Sequence, residues 1–105
     1  MKELPQLREF EWDQGNLDKS YEKHGISPKE AEEVFLDEKL LVVPDVKHAE
    51  KEARFIAIGK TVGGKTLFVV FTMRGQKIRI ISARKAHRKE RNLYEAKETE
   101  KNPKI

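Results

Sequence analysis

RFIAIGKTVGGKTLFVVFTMRGQKIRIISARK, residues 54–85, is the stretch that decides the fold. It divides at its glycines. Residues 54–62 read as a strand that ends at Gly63-Gly64, a hairpin turn signal. Residues 66–73 are rich in β-branched and aromatic side chains, which suit a pleated, half-buried surface. Arg74-Gly75-Gln76 makes the next turn, and residues 77–83 form another strand. Upstream, residues 40–43 are a short β-rich run stopped by Pro44-Asp45. Four consecutive strands with short turns predict an antiparallel meander. The 40–43 strand would be its edge, open to a partner strand.

Outward from the meander the pattern becomes helical. Ser27-Pro28-Lys29-Glu30 sets a serine N-cap, a proline at the first helical position and a glutamate at the third. That is a capping box, and the helix it opens should run to about Phe35 with Ala31, Val34 and Phe35 facing the core. Before it, Asp13 suits an N-cap for residues 14–24, and Gly25 suits the position just past the helix end. Residues 9–13 alternate with period two and read as a short strand leading into that helix. Residues 86–97 have helix-forming composition, and Asn102-Pro103 ends it. The expected class is α+β: two N-terminal helices packed on a small antiparallel four-stranded meander sheet, followed by a C-terminal helix.

The chain's 105 residues allow one domain with a thin core. Charged residues make up 38%, well above the usual share of about 25%, so the surface is very polar. The absence of cysteine excludes a disulfide scaffold, a thiolate metal site and a cysteine nucleophile. No apolar run is long enough to span a membrane, and the expected location is the cytoplasm. The net charge of +4 hides an asymmetry. Residues 1–73 carry 11 lysines and arginines against 14 acids, whereas residues 74–105 carry 11 against 4. A basic third on a mildly acidic remainder points to a polyanionic partner. It is also what a solvated terminal helix would show.

Three groups of residues could carry chemistry. Between Arg74 and Arg91 stand eight basic residues and one acid. Arginine suits phosphate because its planar fork donates two parallel hydrogen bonds; the same run would also guard an exposed strand edge. In a regular strand Arg79 and Arg84 fall on opposite faces, so they share a site only if the strand bends or ends before Arg84. Second, His48 follows Asp45 in a loop, with Arg54 at the head of the next strand. A histidine there could act as a base beside a phosphate clamp, or be polar surface. Third, Lys23 and His24 close the first expected helix, where cations also favour the dipole. The three histidines lack metal-ligand spacing. Glu90 and Tyr94 share a helix face four residues apart, and Tyr94 could stack on a base or pack on the sheet.

These residues resemble the BrnT family of toxins. The resemblance lies in Phe10-Glu11-Trp12-Asp13, Lys23-His24-Gly25-Ile26-Ser27, Ala31 and Val34-Phe35. It continues through Asp45, His48, Glu52-Ala53-Arg54-Phe55, Gly59 and the run from Val69 to Gly75. Its most specific piece is Arg79-Ile80-Ile81-Ser82-Ala83-Arg84-Lys85-Ala86, with Glu90 and Tyr94 after it. The match covers about residues 9–96. The resemblance implies a RelE-like fold over residues 9–97, with 1–8 and 98–105 as extensions. It further implies a metal-independent, cofactor-free endoribonuclease toxin of a type II toxin–antitoxin system. A ribbon-helix-helix antitoxin (BrnA-like) would silence it, typically in a complex of two toxins and two antitoxins that binds operator DNA through the antitoxin.

Assisted RNA cleavage needs a group to take the 2′-OH proton, charge to stabilise the pentavalent phosphorus and a proton for the leaving 5′-oxygen. The expected catalytic set is His48, Arg54, Arg79, Glu90 and Tyr94. Arg54 and Arg79 would stabilise charge and His48 would move protons, with Glu90 or Tyr94 as its alternates. The expected RNA-binding set is Lys23, Arg74, Arg84, Lys85 and Arg88. Two other readings stay open: a non-catalytic nucleic-acid-binding module, and a protein-interaction domain, which includes a toxin that has lost its activity.

Overall fold

The computed structural model describes residues 9–12, 24–48 and 52–101, with the side chains of His48 and residues 97–101 left aside. Five strands form one sheet: β1 (Glu9–Trp12), β2 (Leu41–Pro44), β3 (Phe55–Lys60), β4 (Thr66–Arg74) and β5 (Lys77–Lys85). Helix α1 (Pro28–Glu33) runs straight into a 3₁₀ turn, Val34–Leu36, and α2 (Arg88–Lys101) closes the described chain. A second 3₁₀ turn, Val46–His48, follows β2.

The capping box forms as the sequence predicts. Glu30 donates its amide to Ser27 Oγ at 3.2 Å, and Ser27 donates its own amide to Glu30 Oε1 at 3.0 Å. Gly25 has φ +69°, the left-handed conformation that a glycine reaches without a Cβ clash. The helix expected before it lies outside the described residues, apart from His24, which is helical. Among the described residues one helix precedes the meander and one follows it, where a pair was expected in front.

The sheet also corrects the four-stranded antiparallel expectation. Its order is β1-β5-β4-β3-β2. Strands β2 to β5 do form the antiparallel meander, with β2 at its edge. The short strand at residues 9–12 joins as a fifth member and pairs parallel with β5, Glu11 opposite Arg79. A parallel partner cannot be read from hairpin signals, because its connection spans most of the chain.

One face of the sheet holds the core. Ala57, Leu67, Val69, Phe71, Ile78, Ile80 and Ala83 meet Ile26, Ala31, Val34 and Phe35 from the α1 layer. Phe35 stands edge-on to Phe71, ring centroids 5.1 Å apart. Gly59 allows the closest approach: a Cβ there would lie 3.0 Å from Val34 Cγ1 and 3.2 Å from the Val34 carbonyl oxygen.

A β-bulge in β5 decides which way the end of that strand faces. Ile80 pairs with Phe71 and Ser82 pairs with Val70, so Ile81 is the extra residue. Period-two alternation therefore slips once. Ile80 and Ala83 both face the core despite their odd separation, and the residues between and beyond them are re-aimed to match.

Candidate functional site

The bulge brings together what a regular strand would separate. Arg79 pairs with Thr72 and Arg84 pairs with Phe68, and these two β4 residues are four apart, hence on one face. Arg54 precedes Phe55, which pairs with Phe71, so Arg54 stands beside Thr72 from the other side. Arg54, Thr72, Arg79 and Glu11 thus form a row across four strands, on the face turned away from α1. Neighbouring strands lie about 4.8 Å apart, so the Arg54 and Arg79 backbones are about 10 Å apart, a span that two long side chains can bridge around a phosphate. Arg84 lies roughly 13 Å along the same face.

Each member of the row is held. Thr72 is buried and donates its hydroxyl to the Ala53 carbonyl at 2.6 Å, which ties the backbone next to Arg54 to β4. Asp45 donates its amide to the Arg54 carbonyl at 2.9 Å, so the turn that carries His48 starts beside Arg54. The His48 side chain itself is outside the described atoms. Glu11 Oε1 lies 3.4 Å from Arg79 Nη1, in a half-exposed pair.

The other expected residues separate into distinct settings. Arg84 makes a two-pronged bond to Glu90: Nη1 to Oε1 at 2.9 Å and Nη2 to Oε2 at 2.8 Å. Its Nη1 also donates to the Lys85 carbonyl at 3.0 Å, and its guanidinium carbon sits 3.9 Å from the centre of the Phe68 ring. Glu90 accepts the His87 amide at 2.7 Å in the first turn of α2. The Arg84 hydrogen bond holds the Glu90 carboxyl below its usual range, against the burial that would raise it, with help from the His87 amide. A carboxylate held this firmly in its charged form is a weak proton acceptor.

Tyr94 is buried, and its hydroxyl donates to Asp37 Oδ2 at 2.6 Å. The Lys60 ammonium lies 5.9 Å from its ring centre. Burial alone would raise the Asp37 carboxyl, but Tyr94 and the Lys60 and Lys39 amides hold it below its usual range. This places Tyr94 where α2 returns to the end of β3, in the packing setting. Arg74 reaches Glu52 at 3.5 Å on the surface. Lys85 pairs with Leu67, a core-facing residue, and so projects to the side opposite Arg84. Arg88 is exposed at the start of α2, and Lys23 lies outside the described residues.

The sequence reading missed Thr72, Glu11, Phe68 and Asp37. Cross-strand register places Thr72, the parallel β1 pairing places Glu11 and the bulge sets Arg84 beside Phe68, and none of these leaves a motif. A hollow of about 410 Å³ elsewhere is lined by Glu33, Asp37, Glu38, Lys60 and Tyr94, among others. Its carboxylates Glu33 and Asp37 accept the Val62 and Lys60 amides, and its acidic rim is a poor receptor for a polyanion. Among the described residues no group of three or more histidine and carboxylate side chains gathers as a metal site, and no helix is long and apolar enough to cross a membrane.

Comparison with known proteins agrees with this architecture. Residues 12–90 match the family described as "Ribonuclease toxin, BrnT, of type II toxin-antitoxin system". Among solved structures, the chain is similar to the ribonuclease toxin BrnT of Brucella abortus, with 28% identity and a TM-score of 0.61. That alignment covers 77% of this chain and 99% of the other. No curated protein matches the sequence.

Proposed function

The chain belongs to the BrnT family of type II toxin–antitoxin ribonucleases, and from that premise we propose a metal-independent endoribonuclease whose site is the Arg54–Thr72–Arg79 row. One observation carries the reading: the antiparallel register of β3, β4 and β5 sets Arg79 and Arg54 on the same sheet face, with Thr72 between them. In this mechanism the 2′-oxygen attacks the adjacent phosphorus and the bond to the 5′-oxygen breaks. The products are a 2′,3′-cyclic phosphate and a 5′-hydroxyl. Arg54 and Arg79 donate hydrogen bonds to the non-bridging oxygens, where charge accumulates in the transition state. His48 takes the 2′-OH proton and returns one to the leaving oxygen. The Asp45 tether supports this role because it starts the His48 turn beside Arg54. Glu90 and Tyr94, both engaged in strong hydrogen bonds, serve structure here rather than proton transfer.

The regulatory half follows the family. We infer an antitoxin of the ribbon-helix-helix class, a complex of two toxins and two antitoxins that binds operator DNA through the antitoxin, and a cytoplasmic location. Residues 9–97 act as the functional unit, although α2 continues to Lys101.

Expression without antitoxin tests the proposal. The parent chain should arrest bacterial growth and fragment cellular RNA, while Arg54→Ala, confirmed as folded by circular dichroism, should lose cleavage by at least about 100-fold, the scale seen when one charge-stabilising donor is removed. Full toxicity of Arg54→Ala would remove Arg54 from the mechanism. A harmless, folded parent would favour a binding module or an inactive toxin.

A further inference from the structure

Arg84 does not have the geometry of a phosphate clamp. The edge of its guanidinium that would grip phosphate is already filled by the Glu90 carboxylate, through two bonds of 2.9 and 2.8 Å. Both hydrogens on Nη1 are engaged, one by Glu90 and one by the Lys85 carbonyl. The pair is neutral in sum, so its attraction for a polyanion is small. The guanidinium carbon lies over Phe68, 3.9 Å from the ring centre. The Arg84 side chain nevertheless keeps 26% of its surface exposed. With Phe68 on one side and Glu90 on the Nη1–Nη2 edge, part of the side chain is still left open to solvent.

A planar cation over an aromatic ring, held on one edge by a carboxylate and still partly open, has the makings of a stacking platform. Single-stranded RNA is recognised by splayed bases that stack on aromatic rings and arginine planes. We propose that the Phe68–Arg84–Glu90 assembly is a nucleobase-binding subsite, on which one unpaired base of the RNA stacks against the outer face of the Arg84 guanidinium. The subsite lies on the same sheet face as Arg54 and Arg79, roughly 13 Å from Arg79. The strand would thus be gripped by its phosphate at one end of the face and by a base at the other. This inference rests on the RNA-cleavage reading for the identity of its ligand. Glu90 is then a positioning residue, which acts by holding Arg84 flat.

The test uses a short single-stranded RNA with 2′-O-methyl riboses throughout, which resists cleavage, and the same strand with one abasic residue at each position in turn. Binding is measured with the full chain across a range of salt concentrations. For the parent, base removal at one position should weaken binding roughly tenfold, the scale of one base stack. Arg84→Lys keeps the charge but loses the plane, and it should erase that penalty. Phe68→Leu, which leaves the Arg84–Glu90 pair in place, should reduce it. Arg84→Gln should leave the slope of log affinity against log salt unchanged, whereas Arg54→Ala should lower its magnitude by about 0.7, the value of one phosphate contact on a single strand.

The proposal is overturned if no abasic position costs affinity, if Arg84→Lys keeps the penalty, if Arg84→Gln lowers the slope as Arg54→Ala does, or if the parent binds none of these strands. Cleavage of unmodified RNA by the parent is scored separately. Cleavage without an abasic penalty retains the nuclease and removes the subsite. A penalty without cleavage does the reverse.

Discussion

Glu90 and Tyr94, expected from the sequence as alternates for proton transfer, are both engaged by other side chains in the fold, and the structural roles proposed for them can be tested. Both are polar, both follow the basic run, and both project from α2. Yet Glu90 is the partner of Arg84, and Tyr94 is a buried donor to Asp37. Their roles predict opposite phenotypes to those of acid–base groups. Tyr94→Phe loses one hydrogen bond to a charged acceptor, worth about 1–2 kcal/mol, which in a chain of this size lowers the melting temperature by several degrees. RNA cleavage should persist; a large drop in cleavage with an unchanged melting temperature would return Tyr94 to the chemistry. For Glu90 the sign follows from its lowered carboxyl pKa. A carboxylate with a depressed folded pKa contributes stability above its unfolded value, near 4.3, and loses it as pH falls through the folded value. Glu90→Gln should therefore be less stable than the parent by about 1–2 kcal/mol at pH 7, and the gap should narrow in urea titrations at acid pH, below about 4. A gap of the same size at both pH values would show that the carboxylate charge contributes nothing.

Among the elements, the legible ones were those with local signals. The capping box fixed the start of α1, and the glycine turns separated β3, β4 and β5. Pro44 marked the end of β2, and its edge position followed from the meander. What stayed hidden was non-local. The parallel β1–β5 ladder joins residues almost seventy positions apart, as in the Glu11–Arg79 pair. The bulge replaces the regular alternation that strand reading assumes, so the placement of Arg79 and Arg84 on opposite faces gives way to one shared face. Arg54 and Arg79 were legible as cations but not as neighbours, because nothing in a sequence gives the cross-strand register that seats Thr72 between them. Gly59 reports on packing between elements rather than on backbone freedom. In Gly59→Ala the new Cβ meets the Val34 carbonyl oxygen at 3.2 Å and the Val34 Cγ1 at 3.0 Å. The 3₁₀ turn must then move off β3, at a cost of about 1–3 kcal/mol. Equilibrium unfolding checks this, and an unchanged midpoint would mean that the turn yields freely.

At the scale of the whole molecule, charge and topology divide the labour. Residues 74–105 hold 11 lysines and arginines against 4 acids, and β5, which lies in that stretch, occupies an inner position of the sheet between β1 and β4. Four of those cations, Lys77, Arg79, Arg84 and Lys85, are thus carried by an inner strand of the sheet. Affinity for single-stranded RNA should fall linearly with log salt concentration, with a slope of about −0.7 for each phosphate contacted. A slope near zero for a chain that still binds would show that these cations meet no phosphate.

The β1–β5 ladder also has a meaning in time. Chains emerge from synthesis N-terminus first, so β1 is made before anything it can pair with. Its sheet neighbour among the described residues, β5, ends at Lys85 of 105 residues. Until that strand is complete, β1 has no ladder, and Arg79 is not yet in place across Thr72 from Arg54. A translation product interrupted before β5 therefore carries neither the five-stranded sheet nor its row of cations.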